Sequence, residues 1–252
     1  MVKNSIFNYT LEIYRKKFFI VLFASLPGIF ALIIPLAVNL MNKANPIYFS
    51  LGAIFLRTGR IIDINLFDFF MLAIPLLLSL YIFSFVLVSI NFVVKMQRTL
   101  RAIKKEEIKK ISSYTNSLFI IFLAVIIIDL TIQLLTYETG LQKFLIPLFR
   151  LVSGILILLA SSAIVIDEER VVNALKKSYR VVKQKPLMII QWMLFSLLLL
   201  TILDYIILTI FQLFGLFLLA PLVVSLFNFL ILVPFLIIML TQIYISKYTI
   251  LV

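Results

Sequence analysis

Six apolar runs separated by short charged connections leave this chain few folds to adopt. Five of them cover residues 18–38, 69–94, 116–136, 144–166 and 187–210, and the sixth lies within 216–246. About 20 residues at 1.5 Å rise cross the roughly 30 Å hydrocarbon layer of a bilayer as a helix. A helix also satisfies its own backbone polar groups where no water is present. The expected fold is therefore all-α: a polytopic membrane protein with six transmembrane helices in one integral membrane domain, residues 1–252. Composition agrees, since 63% of the 252 residues are apolar and only 13% are charged, too few to cover a soluble domain. Mean hydropathy is +1.18.

The first run is longer than the apolar region of a signal peptide, and no small-residue cleavage site follows it. It reads as an uncleaved first helix. The last run is too long for one straight span. Pro221 and Pro234 divide it, so the sixth helix is expected to begin near Pro221 and kink at Pro234. Residues 211–220 then form an apolar turn, with a re-entrant segment as the second reading.

The basic residues orient the bundle. Of the 23 Lys and Arg, four precede the first run, seven lie between the second and third, six between the fourth and fifth, and Lys247 follows the last. Only Lys43, Arg57, Arg60, Lys143 and Arg150 fall on the other side. This alternation puts both termini in the cytoplasm by the positive-inside rule, and an odd number of spans would break it. The localisation expected is the cell membrane, multi-pass. The richness in Ile, Leu, Phe and Lys fits a prokaryotic, AT-rich coding sequence.

The basic connections have helical periodicity of their own. In 167–185, Val171, Leu175, Ser178 and Val182 share one face, with Arg170, Lys176, Lys177, Arg180 and Lys183 on the flanks and back. Asp167, Glu168 and Glu169 stand where acids suit a helix dipole, and Pro186 ends the segment. Residues 95–111 are similar, with Met96, Leu100, Ile103 and Ile111 on one side. Residues 3–17, with Ile6, Tyr9, Thr10 and Ile13, are a weaker case. Each reads as an amphipathic helix in the inner interface. Lys104, Lys105, Lys176, Lys177, Arg180 and Lys183 are candidate contacts for anionic lipid or a soluble protein partner. Anchoring of the spans explains the same charges without a ligand. Three such segments suggest three hairpins, approximately 1–94, 95–166 and 167–252.

The stretch Val165-Ile166-Asp167-Glu168-Glu169, followed by Ala174-Leu175-Lys176-Lys177-Ser178-Tyr179-Arg180-Val181-Val182-Lys183 and Pro186, resembles a recurring segment of prokaryotic six-helix membrane proteins. That group includes the membrane domain found before some glycerophosphodiester phosphodiesterase domains, and many stand-alone proteins of unknown function. The resemblance implies the architecture. With no catalytic domain after Val252, it implies no phosphodiesterase activity.

Within the runs, three charges matter: Asp129, Arg150 and Asp204. A charge in hydrocarbon costs several kcal/mol unless it pairs, snorkels or meets water. By helical rise Asp129 lies about 20 Å and Asp204 about 25 Å from the inner ends of their spans, and Arg150 about 9 Å from the outer end of its own. All three fall in the outer third, so a shared cluster is expected. Gln133 and Thr136 extend it from Asp129, Thr201 from Asp204, and Gly154 and Ser161 from Arg150. It reads as an ion-paired register lock or as a site for an ion, a proton or a polar substrate. The connection 39–68 is expected to be a plain loop with a short interfacial helix near 46–55.

Enzyme chemistry finds no foothold. Without Cys or His there is no thiol nucleophile, no imidazole base and no soft-metal site. Six glycines make no phosphate-cradling loop, and Ser161-Ser162 has no base nearby in sequence. No cofactor, metal or nucleic acid is called for. The role expected is a non-enzymatic scaffold or accessory subunit. The alternative is a small transporter or lipid-handling protein using the outer polar cluster.

Overall fold

A computed structural model describes residues 6–31, 33–34, 66–99, 105–136, 141–216 and 219–246. Their regular structure is helical throughout. In chain order the helices are α1 (Ile6–Lys16), α2 (Phe18–Ser25), α3 (Leu66–Thr99), α4 (Lys105–Leu135), α5 (Gln142–Ile157), α6 (Ala160–Ile166), α7 (Val171–Gln184), α8 (Pro186–Leu213), α9 (Ala220–Phe227) and α10 (Val233–Ile245). A π-helical turn, Asn228–Leu232, joins α9 to α10. Five stretches are long and apolar enough to cross a bilayer: Ala73–Gln97, Lys109–Gln133, Lys143–Ile166, Pro186–Leu213 and Ala220–Ile245. A sixth apolar helix, Phe18–Ala31, is shorter. Residues 32 and 35–38 of the first expected span and most of the 39–68 connection, including 46–55, lie outside the described residues. Asp68 is an exception, since α3 already includes it.

The core has two linked parts. One gathers Leu118 and Ile121 of α4, Leu159 to Val165 around α6, Ala174 and Val181 of α7, and Tyr244 of α10. The other joins Ile13 of α1 and Val21 of α2 to Val86, Ile90 and Val94 of α3 and to Phe229, Ile238 and Ile245. Helices α3, α6 and α10 are therefore central. Helix α8 is peripheral, and from Leu197 to Leu213 it has no buried residue.

Two of the three expected interfacial helices differ from expectation. Residues 95–111 do not form a separate helix: 95–99 end α3 and 105–111 begin α4, with 100–104 outside the described residues. Extending an existing helix adds a hydrogen bond per residue, whereas a new helix must be nucleated. The expected inward residues Met96 and Ile111 still pack on the core, while Leu100 and Ile103 lie outside the described residues. Helix α1 packs along α10, with Thr10 and Ile13 buried but Tyr9 exposed. Its Phe7 and Tyr14 rings meet Phe235 edge-on, at 6.1 and 5.6 Å.

Helix α7 forms as expected, over Val171–Gln184, but its face is rotated slightly. Ala174, Ser178 and Val181 are buried, while Val171, Leu175 and Val182 lie partly buried beside them. Small residues at 174 and 178 let the helix approach α5 and α6 closely. The break between α5 and α6 at Leu158–Leu159 frees a backbone amide. The Leu159 N–H donates to the Ser178 hydroxyl at 3.1 Å.

Residues 211–220 contain the end of α8 and a tight turn. Gly215 has φ +69°, its N–H donates to the Gln212 carbonyl at 3.1 Å, and the Leu216 N–H donates to the Phe211 carbonyl at 2.9 Å. This is a Schellman ending, which needs a left-handed residue and suits glycine. Helix α9 then starts at Ala220, next to Pro221.

Candidate functional site

Asp129 and Arg150 face each other between α4 and α5. The Arg150 Nε donates to Asp129 Oδ1 at 3.1 Å and its Nη2 to Oδ2 at 2.9 Å, a two-pronged pair. Gln133 Nε2, one turn along α4, donates to Asp129 Oδ2 at 2.7 Å. The Asp129 side chain is 7% exposed and that of Arg150 23%. By helical rise both stand about 9–12 Å from the ends of their helices nearest the α4–α5 connection, so the depth match inferred from sequence is real.

The third charge does not join them. Asp204 lies on α8, where its Oδ1 accepts from Asn228 Nδ2 at 2.7 Å. The expected single cluster is thus two. The reason is the order of packing: α4 packs on α5, whereas α8 packs on α9 and α10. Thr201 is exposed beside Asp204 and reaches neither cluster. Gly154 is exposed, and Ser161 belongs elsewhere, as described next.

A polar group unforeseen in the sequence sits at the centre. Asn91 of α3 donates through Nδ2 to the Leu87 carbonyl at 2.8 Å and to Ser161 Oγ at 3.3 Å. Its Oδ1 accepts from Ser162 Oγ at 2.9 Å and from Thr241 Oγ1 at 2.6 Å. Asn91 and Thr241 are fully buried. The group ties α3, α6 and α10 together, with its donors and acceptors matched. Asn91 looked unremarkable because Asn, Ser and Thr carry no charge to draw attention within an apolar run.

The π turn is the second unforeseen feature. Pro234 has no N–H to give the Leu230 carbonyl and would crowd it in a regular α-helix. The chain widens instead, and the Val233 N–H bonds to the Asn228 carbonyl five residues back. At Pro234, where a kink is expected, the structure has this π turn on the N-terminal side of the proline. Hydroxyls from the first two helices serve the exposed carbonyls: Tyr14 OH donates to Ile231 O at 3.0 Å, and Ser25 Oγ approaches Leu230 O at 3.5 Å. Phe229 projects from the turn onto Gly28, where any Cβ would collide with its ring.

At the far end of the bundle, Asp167, Glu168 and Glu169 precede α7 without capping it. The N-terminal boundary of α7 falls at Arg170, and no side chain there bonds a backbone amide. The acids instead take lysines from α3, from α4 and from further along α7. Glu168 accepts from Lys95 and Lys110, each at 2.9 Å, and so ties α3 to α4. Asp167 accepts from Lys177 at 2.9 Å and from Tyr244 OH at 2.8 Å, while Glu169 accepts from Lys177 at 2.6 Å. Partners on three other helices outweigh a dipole interaction of about 0.3–1 kcal/mol at an exposed end. Glu168 has φ +56°, a left-handed conformation that costs a non-glycine residue roughly 1–2 kcal/mol and is held here by its two lysines. Hydrogen bonds from Lys95 and then Lys110 lower the Glu168 pKa from 4.5 to about 2. The bond from Lys177 similarly lowers Glu169, and Glu169 and Asp167 raise Lys177.

Among the candidate lipid contacts, Lys177 is thus engaged by acids, while Lys176, Arg180 and Lys183 are exposed on α7. The side chains of Lys104 and Lys105 lie outside the described residues. A shallow groove opens beside this end, lined by Ser113, Ser117, Arg170, Val171, Val172 and Asn173. Among the described residues no group of acids suited to a metal ion is found. No protein-family model matches this chain, and neither a curated protein nor a solved structure does.

Proposed function

We propose that this chain is a cell-membrane protein of six spans that acts, without catalysis, as a scaffold or accessory subunit. In this reading the helix Phe18–Ala31 belongs to the first span, both termini face the cytoplasm, and the bundle follows the six-helix architecture that the 165–186 segment resembles. Two features support the orientation. The basic connections 95–110 and 170–185 carry 13 of the 23 Lys and Arg, and Lys95, Lys110 and Lys177 from these two connections meet at Asp167–Glu169. Both connections therefore lie at one end of the bundle, as the positive-inside rule requires.

The observation that carries the functional reading is that the carboxylates inside the apolar helices are bonded by side chains of neighbouring helices. Asp129 is held by Arg150 across α4 and α5, and Asp204 by Asn228 across α8 and the π turn. A site that loads and releases an ion or a polar substrate needs charge left open to it, whereas the tie between Asp129 and Arg150 consumes both of its charges. The exposed cations Lys176, Arg180 and Lys183 then hold the cytoplasmic face against anionic lipid.

Reconstitution tests this. The purified protein in liposomes is expected to show no proton or potassium flux above protein-free vesicles, while Asp129→Asn lowers its unfolding midpoint. A flux that Asp129→Asn or Asp204→Asn abolishes would replace the scaffold reading with that of a small transporter. Accelerated lipid exchange between leaflets would point to lipid handling.

A further inference from the structure

From residue 186 to residue 246 the chain carries a single charged side chain, Asp204. It stands nine residues before the end of α8, about 14 Å into the apolar helix. Among the described residues no lysine or arginine pairs with it, and its one bonded neighbour is the neutral Asn228. The Asn228 amide is only half used, because its Oδ1 is buried without a hydrogen-bond partner. Carboxylate and amide together are thus short of donors at a depth where an uncompensated charge costs several kcal/mol.

The surface next to this pair is also unusual for one facing lipid. Thr201, Tyr205, Leu208 and Gln212 recur at the spacing of one helical line, with Asp204 on its edge. Thr201, Tyr205 and Gln212 are exposed, Tyr205 by 72%. The adjoining flank of the same helix offers acyl chains Ile202, Ile206, Ile210 and Leu213, with the Thr209 hydroxyl turned back onto the Tyr205 carbonyl. Hydroxyl and amide groups in a line beside a carboxylate suit contact with another transmembrane helix.

We infer that this stripe of α8 docks a transmembrane helix of another protein, one bearing a lysine or arginine at the depth of Asp204. The inference rests on the accessory-subunit reading and names its membrane interface. Charge complementarity selects the partner. A second copy of this chain packed stripe to stripe would oppose Asp204 to Asp204, and Arg150, the cation at this depth among the described residues, is spent on Asp129. The partner's cation neutralises Asp204, and its polar neighbours meet Thr201, Tyr205 and Gln212.

The chain has no cysteine, so a single engineered Leu213→Cys carries a fluorophore without competing labels. The full-length protein is reconstituted in bilayers with Leu/Ala transmembrane peptides of about 23 residues, bearing lysine, leucine or glutamate at the depth of Asp204. Energy transfer should show the lysine peptide binding about tenfold more tightly than the leucine peptide. Asp204→Asn should abolish that preference. Thr201→Leu with Tyr205→Leu, on the exposed side and away from the Asp204–Asn228 bond, should weaken binding while leaving the fluorescence of Trp192 unchanged. Equal binding of the lysine and leucine peptides overturns the proposal, as does a preference that survives Asp204→Asn. Tighter binding of the glutamate peptide overturns it in favour of a shared proton. The liposome flux measurement fails separately: flux sinks the scaffold reading, whereas no lysine preference and no flux sinks only the docking surface.

Discussion

Replacing Arg150 by Met should destabilise the protein by about 3 kcal/mol. The substitution removes both guanidinium bonds, at 3.1 and 2.9 Å, and leaves the Asp129 side chain, 7% exposed, with Gln133 as its remaining side-chain donor. Breaking a buried pair from one side costs roughly 3–5 kcal/mol, because an uncompensated charge stays behind. The retained Gln133 bond and the 23% exposure of Arg150 place the expectation at the lower end. The double variant Asp129→Leu, Arg150→Met removes the stranded charge as well and should recover most of the loss, giving a coupling energy of about 2 kcal/mol or more. Trp192 is the chain's one tryptophan, and its Nε1 donates to the Leu236 carbonyl at 3.1 Å, so its emission reports separation of α8 from α10. Unfolding in mixed micelles of rising sodium dodecyl sulfate content, followed by this emission, supplies the cycle. A loss below about 1 kcal/mol for Arg150→Met, or no recovery in the double variant, would refute the view that the pair is a buried helix tie.

Other perturbations separate the remaining ties. Gly28→Ala places a methyl group against the buried Phe229 ring and should cost about 1–3 kcal/mol in the same assay, with Gly28→Val worse. Asn91→Leu removes the bonds that Ser161, Ser162 and Thr241 make to Asn91 and should cost about 2–3 kcal/mol, whereas Thr241→Val, losing one bond to Asn91, should cost about 1 kcal/mol. Glu168 has a lowered pKa in the folded protein, so its stabilising contribution is complete above the ordinary value of 4.5 and is lost as pH falls toward about 2. Its side chain is 46% exposed, so solvent screening limits the contribution to about 1 kcal/mol, and Glu168→Gln should flatten the stability profile across that acid range.

The helices were legible where one strong signal acted alone. Long apolar runs located α3, α5 with α6, α8 and the α9–α10 segment to within a few residues, because lipid-length hydrophobicity has few alternative explanations, whereas α4 begins at Lys105, well before its run. The end of α8 was less plain, since Gly215 marks it only through a left-handed turn. Depth counting placed Asp129 beside Arg150 correctly, as both lie on consecutive helices joined by a short connection. It failed for Asp204 because depth along a helix says nothing about neighbours around the bundle. The Asn91 group, the π turn and the lysines gathered by Glu168 were also invisible. The Asn91 group and the Glu168 lysines join residues separated by scores of positions, and only the packing of α3, α4, α6 and α10 brings them together; the π turn is a local answer to Pro234 that the proline alone does not specify.

The six-span, both-termini-inside arrangement is tested most directly by single cysteines, since the chain supplies none of its own. Cysteine is placed at Lys104 and Lys183, in the basic connections, and at Leu141 and Gly215, at the other end of the bundle. In intact cells a membrane-impermeant maleimide should label the Leu141 and Gly215 variants at once and the Lys104 and Lys183 variants only after the membrane is opened. Labelling of Lys183→Cys and Gly215→Cys from the same side would contradict it.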